Sequence, residues 1–256
     1  MDGTLLNDEH EVSDRFFKQY NILKAKGIHF TAASGRQLQS IRHALEPIKD
    51  EINIIGENGG ILQHNNEVLT LLKLEQDQLT QCVDRLRKVE NCYIILCGKN
   101  AAYFEQTDPE FIRLFRNYYH EAQHVEDLRA IIDDDFLKIA VFHFDSSEKY
   151  ILPYVEDLKD DLKVIVSAKN WLDISHLESN KGYALHKLQQ KLGITPEETL
   201  VFGDYNNDLE MIQLGKYSFA MENAHPKVKE AANFMTKSNN EQGVEHVLDM
   251  LIDSLN

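Results

Sequence analysis

Two aspartates, Asp204 and Asp208, stand in the run Gly203-Asp204-Tyr205-Asn206-Asn207-Asp208, directly after an apolar stretch at 199–202. Carboxylates crowded in this way repel one another unless a proton or a cation relieves them. Hard oxygen ligands suit magnesium, which takes one or two carboxylates and completes its shell with phosphate and water. The same residues can instead cap the helix that starts near Leu209, although one such residue is enough for a cap. Ser34 and Gly35 follow another apolar run and offer a hydroxyl and backbone N–H groups to an anion, or form only a turn. Lys181, beside Gly182 at the start of a helix, can set a cation against a phosphate, or decorate the surface. Asn58 lies in a third polar cluster, Glu57-Asn58-Gly59-Gly60, and Asp2-Gly3-Thr4 opens the chain.

These clusters need elements to bring them together. Ser13 is placed to cap a helix through Phe16, Phe17, Tyr20 and Leu23 that ends at Gly27. A strand is expected over 28–33, a helix over 37–45, a strand over 52–55, and a hairpin at 61–62 and 68–69. Alternating helix and strand predicts a parallel sheet with helices on its faces, and ligands of such sheets bind beyond the carboxyl ends of the strands. The middle of the chain reads differently. An amphipathic helix is expected near 75–90, strands at 93–96, 101–104, 137–144, 163–166 and 171–174, and a helix over 148–158 that Pro153 disfavours. The alternation then returns, with a helix over 183–192 ended by Gly193, a strand at 199–202, a helix over 209–214, a strand at 217–220 and a helix over 226–232. The fold class is therefore α/β, with a core at 1–73 and 176–256 and a separate α+β unit at 74–175.

The chain has 256 residues, 43% of them hydrophobic, which is enough for a sizeable core. Lys plus Arg number 27 against 42 Asp plus Glu, a formal charge of −15. That balance repels nucleic acid and anionic membranes. The acidic run Asp133-Asp134-Asp135 is read as a solvated turn. Cys82, Cys92 and Cys97 have neither disulfide-framework nor zinc spacing, and the last two look like small buried hydrophobes in a strand. No apolar run approaches the roughly 20 residues of a membrane span, and the start has no basic-then-apolar leader pattern. A reducing cytoplasm is the expected location.

Asp2-Gly3-Thr4-Leu5-Leu6, Ser34-Gly35-Arg36, Asn180-Lys181-Gly182-Tyr183-Ala184-Leu185 and the run from Gly203 to Ile212 stand in order. Together they resemble the four motifs of the Cof-like branch of the haloacid dehalogenase phosphatases. Ala220-Met221-Glu222-Asn223-Ala224 and the segment 238–244 resemble the C-terminal pattern of that branch. The resemblance covers both ends of the chain; the middle matches as an insertion of suitable size and place. It implies a Rossmann-like parallel-sheet core with an inserted α+β cap domain of type C2, which sits over the carboxyl edge of the sheet and closes on substrate.

It also implies a magnesium-dependent phosphatase that hydrolyses small phosphorylated metabolites, sugar phosphates or similar, through an aspartyl-phosphate. Asp2 matches the aspartate that protonates the leaving alcohol and then activates water, and its backbone carbonyl would touch the metal. Ser34 would hydrogen-bond the phosphoryl group, and Lys181 would neutralise it. Thr4, Gly35, Arg36, Asn58 and Asn207 would line the phosphate and substrate site. Asp204 would bind Mg2+, and Asp208 would support that shell. The partner is a small phosphorylated metabolite, with no nucleic acid and no membrane, and the protein is expected as a monomer or weak homodimer.

One position departs from the pattern. The first motif of the family reads Asp-x-Asp-Gly-Thr, and Met1 occupies the x, so the nucleophilic Asp and its central strand are expected upstream, in a protein that begins about ten residues earlier. The 256-residue chain as it stands is expected to turn over phosphate esters hardly at all. The alternative is a catalytically inactive metabolite-binding pseudoenzyme. A phosphosugar mutase fits less well, because the large insertion lies between the second and third motifs.

Overall fold

The structure is a computed structural model that describes residues 1–116, 119 and 121–255. The chain resolves into two compact units: Met1–Gly35, Ile41–Thr70 and Asn180–Asn256 in the first, Arg36–Ser40 and Leu71–Ser179 in the second.

The first unit opens with α1 (Asp14–Ala25), where the Ser13 hydroxyl accepts the N–H of Phe16, and Phe16, Tyr20 and Leu23 turn inward. β1 (Thr31–Ala33) pairs in parallel with β2 (Asn53–Gly56), and α2 (Leu38–Ala44) lies between them in the chain. β3 (Ile61–His64) and β4 (Glu67–Leu71) extend the sheet, in the order β1-β2-β3-β4. The strand expected over 28–33 is only half formed. β1 is an edge strand: the Ile28 N–H is held by the Leu23 carbonyl at the end of α1, and Phe30 meets β2 through its carbonyl, which accepts the N–H of Asn53, so the paired register begins at Thr31.

The second unit is built on one six-stranded sheet. Its helical and strand elements are α3 (Gln76–Leu86), β5 (Tyr93–Gly98), β6 (Ala102–Phe104), α4 (Pro109–Phe115), β7 (Ala122–His124), β8 (Phe136–Phe142), α5 (Ser147–Tyr150), β9 (Leu162–Ala168) and β10 (Trp171–His176). The strand order is β7-β6-β5-β8-β10-β9. Leu79, Cys82, Val83 and Leu86 of α3 pack with Ile94 and Leu96 in one core cluster, while Phe111 and Phe115 of α4 pack with Tyr93, Ile95 and Phe142 in another. Alternation along β5 thus feeds both faces.

Several expectations need correction here. The helix over 148–158 is broken into α5 and two 3-10 turns, Leu152–Tyr154 and Glu156–Asp160. Pro153 lacks the N–H that a continuing helix needs and crowds the preceding turn. Asp134 is more than a solvated turn residue: its carboxylate accepts the N–H groups of Asn100 and Ala101 and the hydroxyl of Tyr103, and so pins the β5–β6 turn. α4 was not anticipated, although Asp108 before Pro109 is an N-cap pattern and its side chain accepts the N–H of Glu110. Cys97 is fully buried as expected, whereas Cys92 is only partly so.

The chain returns to the first unit through α6 (Lys181–Leu192), β11 (Leu200–Gly203), α7 (Leu209–Ile212), β12 (Tyr217–Ala220), α8 (Pro226–Ala231), β13 (Phe234–Met235) and α9 (Gly243–Ser254). β11, β12 and β13 form an all-parallel sheet in that order. α9, which periodicity had not marked, packs against α1, and Gln19 donates to the carbonyl of Glu245 at 2.8 Å. The open edges of β1 and β11 line one cavity of about 690 Å3. Its walls include Ile28, Phe30, Ile52, Val201, Phe219 and Leu248. Two parallel sheet edges with an apolar space between them leave backbone N–H and C=O groups unladdered on both sides. The whole is an α/β fold in which a Rossmann-like core is interrupted by an α+β unit.

Candidate active site

Asn180 caps α6 by accepting the N–H of Tyr183 at 2.7 Å, so Lys181 becomes the first helical residue. Its side chain turns inward and is 4% exposed. Lys181 Nζ lies 2.6 Å from Oδ1 of Asp208, itself 5% exposed. The other carboxylate oxygen of Asp208 accepts the N–H groups of Asp204 and Tyr205, at 2.9 and 3.2 Å. Burial pushes the Asp208 carboxyl up. The charges of Lys181 and the Met1 amino group, with those hydrogen bonds, outweigh it and hold the group below the usual carboxylate range. Asp208 is thus fixed as an anion with both oxygens engaged.

Asp204 is the next residue after β11 and is differently placed. Thr4 Oγ1 donates to its Oδ1 at 2.5 Å. Gly3, at φ +65°, lets the carboxylate come close, because a β-carbon there would sit 2.5 Å from Oδ2. Burial raises the Asp204 carboxyl above its ordinary range, and the Thr4 hydrogen bond only partly offsets this. A carboxylate raised in this way would be stabilised by a hard cation, and Asp204 could hold one. Asp208, already hydrogen-bonded, is suited to fixing the backbone that carries Asp204.

Ser34 follows β1 and is buried, and its N–H reaches the carbonyl of Ile55 at 2.9 Å. The Asn58 N–H donates to the Ser34 carbonyl at 3.0 Å, and Gly35 lies against the Asn58 side chain. Asn207 Nδ2 donates to Asn58 Oδ1 at 2.8 Å. Thr4, Asp204, Asp208 and Lys181 therefore form one set, and Ser34, Gly35, Asn58 and Asn207 a second. The 3-10 turn Asn206–Asp208 carries a member of each. Arg36 groups with the second unit.

Three features were not read from the sequence. Asn223 Nδ2 donates to the carbonyl of Gly3 at 2.8 Å, and its Oδ1 accepts the N–H of Asn239, so it braces the first motif. The Ala220–Ala224 pattern contained Asn223 but gave no hint of its target. His10 Nδ1 lies 3.3 Å from Asp2 Oδ1, both well exposed. Nothing in the spacing marks that contact, which depends on a turn at Asn7 whose side chain accepts the N–H groups of Glu9 and Glu11. The Met1 amino group is buried near Lys181, Asp204 and Asp208; burial first, then repulsion by Lys181, lowers its pKa.

Strand-end carboxylates, a buried lysine and an interrupted α/β core define a hydrolase of the phosphatase class. A family profile described as haloacid dehalogenase-like hydrolase matches residues 1–248, and the chain belongs to that family, in its Cof-like branch. It is 33% identical over 255 residues to the 5-amino-6-(5-phospho-D-ribitylamino)uracil phosphatase YbjI of Escherichia coli, covering 98% of this chain and 94% of that protein. It is 31% identical over 247 residues to YcsE of Bacillus subtilis, a phosphatase of the same name, covering 95% and 90%. Among solved structures it resembles SMU.1108c from Streptococcus mutans, with TM-score 0.88, 26% identity and coverage of 99% and 97%. TM0651 from Thermotoga maritima gives TM-score 0.86 and 29% identity, with coverage of 97% and 94%. Among the described residues no helix is long and apolar enough to cross a membrane.

Proposed function

We propose that this protein is a magnesium-dependent phosphatase of small phosphorylated metabolites that works through an aspartyl-phosphate. The observation that carries the reading is the buried Lys181–Asp208 pair beside the desolvated Asp204 and its Thr4 partner. Asp204 and the Asp2 carbonyl would hold Mg2+, whose positive charge would offset that of the phosphoryl oxygens. Lys181, at the positive end of α6, attracts the same oxygens, and the Ser34 hydroxyl and the Asn207 amide donate to them. In the first step a carboxylate attacks phosphorus and the ester oxygen departs with a proton from Asp2. In the second, Asp2 takes a proton from water, which attacks the acyl phosphate and releases inorganic phosphate.

The attacking carboxylate belongs to the same proposal. We read the cavity between β1 and β11 as the seat of a further β-strand that ends in the attacking Asp. What supports this is the pair of open strand edges and the apolar walls between them. The substrate named for YbjI and YcsE, 5-amino-6-(5-phospho-D-ribitylamino)uracil, is the first to test, followed by a panel of sugar and nucleotide-derived monophosphates. Phosphate release is measured with and without Mg2+, on the 256-residue chain and on a chain extended by such a strand. No release from any ester by the extended chain overturns the reading in favour of a metabolite-binding protein without turnover. The same reading takes the protein as cytoplasmic, and as a monomer or weak homodimer.

A further inference from the structure

Three consecutive residues between β2 and β3 take positive φ: Glu57 at 49°, Asn58 at 52° and Gly59 at 97°. Glycine adopts such backbone freely and asparagine tolerates it, but glutamate does not favour it. A run of this kind persists only where its surroundings hold it, and such runs gather at functional sites. Here the surroundings are specific. The Asn58 N–H is bonded to the Ser34 carbonyl at 3.0 Å. The Glu57 side chain is buried. Gly59 lies so close to Asn180, the cap of the Lys181 helix, that a β-carbon would sit 2.1 Å from the Asn180 carbonyl oxygen. The arch thus touches the end of β1 and the start of α6, and the Asn58 side chain meets a third segment, where it accepts from Asn207 Nδ2 at 2.8 Å.

We infer that Asn58 is a positioning residue that acts through Asn207, an inference that rests on the phosphatase reading above. A carboxamide can present either its oxygen or its NH2 group to a ligand. An oxygen turned toward a phosphoryl group repels it. With the Asn58 oxygen facing Asn207, the hydrogen bond forms only in the orientation in which Asn207 keeps its NH2 on this side. One N–H is used on Asn58, and the second stays in the amide plane as a preset donor. Left-handed backbone at 58 is what brings that oxygen to Asn207, and Asn is the residue that both tolerates the backbone and supplies the oxygen.

The test uses the full chain with inorganic phosphate and Mg2+ as the probe. Asn58→Gly keeps the backbone and removes the acceptor. Calorimetric titration should show phosphate bound about tenfold more weakly by Asn58→Gly and by Asn207→Ala, the loss of about one hydrogen bond to a charged group. The double variant should be no weaker than either single one, because the two act as a unit. The thermal midpoint of Asn58→Gly should be unchanged or higher. In the ligand-free protein the Asn207 side-chain amide resonance should move toward the position of a free amide in Asn58→Gly and stay in place in Asn58→Asp, which retains an acceptor. Additive losses near a hundredfold would mean that Asn58 meets the ligand itself, and an unmoved Asn207 resonance would mean that no strut exists; either overturns the inference. If the unaltered chain binds no phosphate, the phosphatase reading fails, and the Asn207 resonance still decides the strut.

Discussion

Lys181 Nζ and Asp208 Oδ1 lie 2.6 Å apart in the first unit, and both side chains are almost wholly buried. Their contact joins the start of α6 to the turn after β11, segments that meet only in the folded chain. Removing one partner of a buried pair leaves the other charge uncompensated, at a cost of about 3–5 kcal/mol. Lys181→Met should therefore lower unfolding stability by about 3 kcal/mol in urea titrations. Asp208→Asn in that background should restore part of the loss. A loss well under 1 kcal/mol for Lys181→Met would show that water, not Lys181, neutralises Asp208.

Asp204 carries the opposite prediction. Its folded carboxyl is raised by burial, so its contribution to stability is full below the unfolded value and is lost as pH rises through the folded one. Above that folded value the ionised group therefore destabilises the metal-free protein. Millimolar Mg2+ should raise the Tm of the unaltered chain and leave that of Asp204→Asn where it is, while Asp204→Asn without metal should be at least as stable as the parent. Equal Mg2+ shifts in both proteins would remove Asp204 as a ligand.

Alkaline pH should act on the second unit in part through two tyrosines. Tyr93 donates to Asp108 at 2.6 Å and Tyr103 to Asp134 at 3.0 Å. Burial and then these carboxylate bonds push both hydroxyls up to about 12, from an ordinary 10.0. A raised folded value means stability that is present below pH 10 and lost as pH climbs toward 12. Absorbance at the phenolate band, followed beside circular dichroism, should show these groups ionising late and together with unfolding. Tyr93→Phe should remove part of that pH dependence. Titration of both groups near pH 10 in the folded protein would contradict the hydrogen bonds.

Catalysis should depend on the cavity between β1 and β11. The 256-residue chain should hydrolyse p-nitrophenyl phosphate at close to the background rate. A chain extended by an apolar strand ending in Asp should gain orders of magnitude in rate, and Asp→Asn at that added position should abolish the gain. The extended chain should also unfold at higher temperature, because a strand there pairs groups that each cost roughly 1–3 kcal/mol when buried unpaired. Robust turnover by the unextended chain would show that another residue attacks phosphorus.

The sequence by itself determined the family, the class of chemistry and the alternation that makes an α/β core. Those properties are local: a polar cluster after an apolar run, or an N-cap such as Ser13 or Asn180, is legible wherever the pattern is short. It also marked Asp204, Asp208, Lys181 and Ser34, because their types and spacing suit an anion and a cation. Tertiary structure decided what those residues do to one another. Lys181 and Asp208 are 27 positions apart and Thr4 and Asp204 are 200, so no periodicity could pair them. Which buried carboxylate is compensated by a lysine and which is left raised followed from their contacts in the fold, to which motif spacing is blind. The helix broken at Pro153 was decided by a missing backbone N–H, and the short β1 by where β2 begins to pair with it. The Asn58 strut needed both levels, a residue type that tolerates left-handed backbone and a fold that brings Asn207 within 2.8 Å of it.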